Sequence, residues 1–108
     1  MSRADEERIG DILAAASELE AVVGRGWDAF ASDPILRRAA ERLLEIIGEA
    51  ANALSDQTRD SFAGVPWSDI RRLRIVVAHH YHRVDLEQVW TVATEDVPAL
   101  VQRLQTSG

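Results

Sequence analysis

Residues 33–54, DPILRRAAERLLEIIGEAANAL, decide the fold class. Their apolar members recur three and four positions apart, which is the period of one face of an α-helix. Asp33 followed by Pro34 is typical of a helix start, because the carboxylate can accept from a free N–H and proline fits the first helical position. A long amphipathic helix is therefore predicted. Its apolar stripe consists of Leu36, Ala39, Leu43, Ile46, Ile47, Ala50 and Leu54.

The same period occurs on both sides of this helix. Residues 9–23 predict a first long helix, which ends before Gly24 and Gly26. A further helix opens at Pro66 and presents the apolar residues at 70, 73 and 77 on one face, and a last one runs over residues 86–104. In that last helix Pro98 is expected to introduce a kink or to begin a new helix.

Shorter helical turns are predicted at 27–32 and within 55–65, and no alternating strand pattern or linker interrupts the chain. The prediction is an all-α protein: four main helices in an up-down bundle with short extra helices, forming one domain over residues 1–108.

Composition narrows the functional classes. The 108 residues carry a net charge of −6, which argues against a protein that coats nucleic acid through general electrostatics. There is no cysteine, so disulfides and thiolate metal sites are excluded. We find no signal-peptide pattern and no apolar run long enough for a bilayer, and therefore expect a cytoplasmic protein without a membrane partner.

The basic residues are unevenly distributed. Residues 71–83 contain four arginines, all three histidines and no acid. All twelve basic residues of the chain are arginine, so any bound phosphate would be held by guanidinium groups. A local basic site on an acidic body is predicted.

Arg74, His79 and Tyr81 form the motif with the clearest chemistry. A guanidinium binds phosphate through parallel hydrogen bonds, and an imidazole transfers protons near neutral pH. A phenol donates, accepts or is modified. Five helical residues turn about 500°, so Arg74 and His79 of one chain point about 140° apart. We therefore expect a homodimer that packs by a two-fold axis along this helix, so that both copies line one groove.

The context of the motif resembles a known family. The stretch from Pro66 to Asp85, followed by Val89-Trp90, together with ERLLEIIGEAA at 41–51, resembles the HepT-like branch of the HEPN domains (higher eukaryotes and prokaryotes nucleotide-binding). The two segments cover about residues 33–104.

The resemblance implies the toxin of a toxin–antitoxin pair, a metal-independent endoribonuclease that needs no cofactor. It implies a dimer in which the motifs of both protomers face one cleft. On chemical grounds we predict Arg74 and His79 as the catalytic residues, with attack by the ribose 2′-OH, so that RNA is cut and DNA is not. The resemblance also implies a minimal nucleotidyltransferase antitoxin that transfers AMP onto Tyr81. Possible RNA-binding residues are Arg71, His80, His82 and Arg83.

Two other interpretations of the motif are weighed against the ribonuclease: a metal site and a non-catalytic dimer. The histidines at 79, 80 and 82 resemble a metal cluster, but neighbouring helical residues face different directions, so no metal site is expected. Many relatives carry a polar residue, often Asn, directly after the motif arginine, and this chain has Ile75. This departure favours the rival interpretation, a non-catalytic helical dimer that serves as scaffold or regulatory partner of a nucleotidyltransferase, or that binds a nucleotide.

Overall fold

The computed structural model describes residues 1–79 and 86–106, with residues 76–79 as backbone only. The described chain is helical, as predicted. Its elements in chain order are α1 (Arg3–Val23), α2 (Trp27–Ser32), α3 (Pro34–Ala53), α4 (Asp56–Ser61), α5 (Trp67–His79), α6 (Leu86–Thr91), a π-helical segment (Val92–Asp96) and α7 (Val97–Thr106).

Side chains in front of the helices satisfy their first free N–H groups. The Ser2 hydroxyl accepts from the Asp5 amide at 3.1 Å, and Asp33 Oδ1 accepts from the Ile35 amide at 2.9 Å. The predicted start of α3 at Asp33-Pro34 is confirmed. Each such cap contributes about 1 kcal/mol, so the helix boundaries are encoded locally.

The long helix α3 lies at the centre of the bundle, packed against α1 on one side and α5 on the other. Its buried face combines large and small side chains, which lets two neighbours approach closely. The residues of α3 that are buried are Ala40, Leu43, Leu44, Ile47, Gly48, Ala50 and Ala51. The predicted all-α bundle of four main helices is thus confirmed, with α6, the π segment and α7 together forming the fourth.

The last helix contains a feature that its sequence did not reveal. Residues 92–96 adopt π geometry, and the Val97 amide donates to the Val92 carbonyl, five residues back. Pro98 follows directly. Proline lacks an N–H and clashes with the carbonyl four residues earlier, and a π turn widens the helix at that place. The helical path therefore passes Pro98 with its apolar face against the core, where Val97 and Leu100 are buried.

An aromatic cluster joins α2 to the last helix. The rings of Trp27, Phe30 and Trp90 lie with centroids 5.2–6.1 Å apart. On the other side of the bundle, Trp67 donates its Nε1–H to the Arg59 carbonyl at 2.9 Å and packs edge-on against Phe62. The three tryptophans thus act as packing anchors between elements.

A buried carboxylate ties α1 to α4. Asp5 is 5 % exposed and accepts from the Ser55 hydroxyl and the Thr58 hydroxyl, both at 2.6 Å, and from the Ser55 amide at 3.1 Å. These donors, the Ser55 hydroxyl first, lower the pKa of Asp5 from 3.8 to about 2 because they stabilise the charged form. We call Asp5, Ser55 and Thr58 the Asp5 cluster.

Within residues 1–79 and 86–106, no helix is both long and apolar enough to cross a membrane.

Candidate functional site

The candidate site forms where α3 and α5 come closest. A Cβ placed on Gly48 would lie 2.5 Å from the Arg74 backbone nitrogen and 3.2 Å from its Cα. Real Cβ atoms do not approach backbone that closely, so only glycine fits between these helices. Gly48 therefore determines where along α3 the Arg74 backbone packs and how closely it approaches.

One turn beyond Gly48 along α3, the Asn52 side chain receives two arginines of α5. Its Oδ1 accepts from Arg71 Nε at 3.1 Å and from Arg74 Nη2 at 3.3 Å. All three residues are half-buried. A single amide oxygen thus draws two guanidinium groups, one helical turn apart in sequence, to the same place. We call Arg71 and Arg74, held on Asn52, the arginine pair.

The arginine pair carries two positive charges that no acidic side chain within residues 1–75 and 86–106 neutralises. Among the side chains that the structure describes, every ion pair involves other arginines, at positions 3, 8, 42 and 59. Arg74 Nε is buried and has no hydrogen-bond partner among the described residues. Asn52 lies in the last turn of α3, where the negative end of the helix dipole favours nearby cations.

Such an arrangement is suited to an anion. A guanidinium has five N–H donors in a planar fork that matches the oxygens of phosphate or carboxylate. Each member of the arginine pair has one described side-chain bond, to Asn52. Two adjacent cations that have no acid partner among the described side chains have the charge and the donors that a phosphate site requires.

The remaining predicted site residues lie around and beyond the end of α5. His79 is the last residue of α5. Tyr81, His80, His82 and Arg83 lie outside the described residues, so their predicted roles stay predictions. The predicted homodimer along α5 stays a prediction as well.

Two residues that position Arg74 were not identified from the sequence. Gly48 is part of the family-like segment but no pattern assigns it a role, and no pattern singles out Asn52. The signal was their spacing: a glycine and an amide four residues apart lie on the same face of α3. What the sequence alone does not give is the height of α5 against that face, which brings Arg74 to it.

Comparison with a family model and comparison with individual proteins identify the family of the chain. The family model described as "Ribonuclease HepT-like" matches residues 12–107. The chain belongs to the HepT-like ribonuclease family. The resemblance drawn from the two sequence segments is thereby confirmed, and an activity of the ribonuclease type is supported by the family's description.

Relatives of the HepT-like chain span most of its length. A Methanocaldococcus jannaschii protein, named as a candidate RNase, is 32 % identical over 96 residues, which cover 88 % of each chain. A candidate RNase of Caldanaerobacter subterraneus is 34 % identical, covering 81 % of this chain and 78 % of its own. A probable ribonuclease HepT of Thermococcus cleftensis is 30 % identical, over 93 % and 92 %. No solved structure gave a significant match.

Proposed function

We propose that this HepT-like protein is the toxin of a toxin–antitoxin pair and cuts RNA internally without a metal ion. The observation that carries the proposal is the arginine pair, on the helix that ends at His79. Its two guanidinium groups are held together by Asn52 with no acid partner among the described side chains. In a chain of net charge −6, a local pair of positive charges favours a site for an anion over general electrostatic binding of nucleic acid. An RNA phosphate is the ligand that the family membership favours.

In the proposed reaction, His79 acts as the general base and takes the proton of a ribose 2′-OH. The 2′ oxygen attacks the adjacent phosphorus, the bond from phosphorus to the 5′ oxygen breaks, and the leaving oxygen receives a proton from the second His79 or from water. The products are a 2′,3′-cyclic phosphate and a 5′-OH. DNA is not cut because it lacks the nucleophile.

Arg74 binds the phosphate and stabilises the charge that grows on its non-bridging oxygens. Preorganised donors of this kind contribute several kcal/mol to catalysis, because their orientation is set before the reaction starts. Gly48 and Asn52 supply that preorganisation, the first by fixing the Arg74 backbone and the second by holding its guanidinium.

The proposed active form is a homodimer with the α5 helices facing each other across a two-fold axis. Helical geometry supports this proposal, because positions 74 and 79 of an α-helix lie about 140° apart around its axis. In the dimer the arginine of one protomer approaches the histidine of its partner. Ile75, next to Arg74, is an apolar side chain that is 46 % exposed in the single chain and suits such an interface.

Tyr81 is the proposed point of control. A minimal nucleotidyltransferase antitoxin would join the Tyr81 phenolic oxygen to the α-phosphorus of ATP and release pyrophosphate. The attached AMP adds bulk and negative charge beside the site of the RNA phosphate. Because Tyr81 is the only tyrosine of the chain, a mass increase by one AMP that disappears in Tyr81→Phe identifies the site.

Expression of the protein without its antitoxin separates the toxin from the rival scaffold. Growth arrest with fragmentation of cellular RNA supports the toxin, and the His79→Ala variant should accumulate harmlessly. If the unmodified protein also accumulates harmlessly, the toxin proposal fails and the non-catalytic dimer that binds a nucleotidyltransferase takes its place.

A further inference from the structure

We propose that Asn52 is a positioning residue, whose side-chain oxygen gathers Arg71 and Arg74 into a two-guanidinium clamp for one RNA phosphate. The proposal rests on the proposed ribonuclease function, and it adds a residue from α3 to a site otherwise built from α5 and the chain that follows it. It also assigns Arg71 to the same phosphate as Arg74.

The first argument is the geometry of the shared acceptor. Arg71 Nε and Arg74 Nη2 lie 3.1 Å and 3.3 Å from the same oxygen. Because both nitrogens bond to one oxygen, the distance between them is at most the sum of these two distances. Without Asn52, like charges one turn apart on a helix repel and the long side chains spread into solvent. The amide oxygen reverses this preference.

The second argument is the chemical type of the acceptor. A carboxylate at position 52 would bind both arginines more strongly, but it would cancel one of their two positive charges and compete with phosphate for their donors. A neutral amide orients the guanidinium groups and leaves their charge available. Asn52 thus holds two cations together through a side-chain group that accepts hydrogen bonds without carrying a negative charge.

The third argument is which donors are left over. Arg71 uses Nε on Asn52, so its two terminal amino groups, which form the end of the fork, have no bond to another described side chain. Arg74 uses Nη2, and the close approach at Gly48 fixes its backbone. The two guanidinium groups therefore converge with donors that can bind separate oxygens of one phosphate.

The test compares two variants that add the same negative charge to the end of α3. Asn52→Asp is nearly isosteric and places the charge on the arginine pair. Ala53→Asp is the matched control, because Ala53 is exposed and lines a depression with Arg8 and Asp11 of α1, away from α5. The probe is a fluorescent 2′-O-methyl oligoribonucleotide, which presents RNA phosphates but has no free 2′-OH and is not cut.

We expect Asn52→Asp to bind the probe roughly tenfold more weakly than the unmodified protein and to show a shallower dependence of affinity on salt. Its melting temperature should be unchanged or raised, because the new carboxylate pairs with two arginines. Ala53→Asp should bind within about twofold of the unmodified protein on the same scale. Stability and affinity moving in opposite directions is a result that a purely structural bridge does not give.

Three results would overturn the clamp. The first is equal affinity of Asn52→Asp and Ala53→Asp for the probe. The second is absence of probe binding by the unmodified protein. The third is binding of free ATP as tightly as the probe, with both lost in Asn52→Asp, which would assign the arginine pair to a nucleotide. If Asn52→Asp does not fold, Asn52→Ala replaces it: severalfold weaker binding supports the clamp and unchanged binding overturns it.

The clamp and the proposed ribonuclease function can fail separately. Binding of the probe does not require cleavage, so an unmodified protein that binds the probe through Asn52 but leaves ordinary RNA intact would retain the clamp and refute the ribonuclease. Conversely, cleavage that depends on Arg74 but is unaffected by Asn52→Asp would retain the ribonuclease and refute the clamp.

Discussion

The Asp5 cluster and the arginine pair are two polar groupings built from similar parts and balanced in opposite ways. In the Asp5 cluster one carboxylate receives three donors, and burial leaves it 5 % exposed. In the arginine pair one amide oxygen receives two guanidinium groups that have donors in excess. The donors and the acceptor of the first cluster match, whereas the second has more donors than acceptors among the described side chains.

This difference separates stability from function. A buried charge that is fully hydrogen-bonded fastens the elements that surround it, here α1 and the start of α4. In the proposed function, the two guanidinium groups add little to stability and provide binding energy for the RNA phosphate. If the two clusters divide these tasks, substitutions in them should affect activity and stability separately.

The largest effect is expected at the arginine pair. Arg74→Ala should lower the cleavage rate by about 100-fold or more, because it removes the donors for the phosphate charge. Arg72→Ala is the matched control, since Arg72 is an exposed arginine of the same helix. Cleavage of a short oligoribonucleotide, with thermal unfolding to verify the fold, measures both. Equal losses in the two variants would mean that general charge, not this site, supports the activity.

The contact that positions Arg74 can be broken without touching a charge. Gly48→Ala places a Cβ against the Arg74 backbone, so we expect it to lower the free energy of unfolding by about 1–3 kcal/mol. The molecules that remain folded should also cleave RNA more slowly, because Arg74 is displaced. Gly10→Ala is the control with the opposite sign: its Cβ meets nothing within 4 Å, and alanine should stabilise α1 by about 0.5–1 kcal/mol. Denaturant unfolding of both variants would contradict the close approach if Gly48→Ala were also stabilising.

The open side of the arginine pair is expected to face a second protomer. Ile75→Asp should weaken the dimer and lower cleavage roughly tenfold at micromolar protein, because a carboxylate in an apolar interface is poorly solvated. Ile35→Asp, at a site that is 73 % exposed at the start of α3, should leave both properties unchanged. Sedimentation measures the association. If Ile75→Asp is fully active and forms a stable dimer, α5 does not form the interface.

The smallest effect on activity is expected at the Asp5 cluster, whose role is in stability. The folded-state pKa of about 2 lies below the ordinary 3.8, so the stabilisation is complete above pH 3.8 and is lost as the pH falls towards 2. Asp5→Asn should therefore melt at a lower temperature than the unmodified protein at neutral pH, and the difference should shrink in acid.

Asp11→Asn serves as its control, because Asp11 lies on the same helix, is exposed and pairs only loosely with Arg8 at 3.8 Å. It should change the melting temperature little at any pH. Below its melting temperature, Asp5→Asn should cut RNA at the normal rate. A pH-independent loss of stability, or a selective loss of cleavage, would break the division between the two clusters.

The helices could be predicted because their signals are local. The apolar period of α3 and its Asp33-Pro34 start determine that helix without reference to the rest of the chain. The arginines of the site were also evident, since they lie in one short acid-free segment. The π segment before Pro98 was not predicted, because it depends on how the last helix resolves a proline clash while its apolar face remains on the core.

Asn52 could not be predicted for a different reason. A single polar residue in the last turn of a helix has no pattern of its own, and its partners lie 19 and 22 residues further along the chain. Only the packing of α5 on Gly48 brings them together. Sequence patterns thus locate the chemical groups, whereas the residues that orient these groups emerge from tertiary contacts.

The central claim, a metal-independent ribonuclease built on Arg74 and His79, is tested most directly by one assay of the purified protein. A short oligoribonucleotide is incubated in excess EDTA and the ends of the products are analysed. The account predicts fragments with a 2′,3′-cyclic phosphate and a 5′-OH, formed by the unmodified protein and not by His79→Ala. Intact RNA, cleavage that EDTA abolishes, or products with a 3′-OH would contradict it.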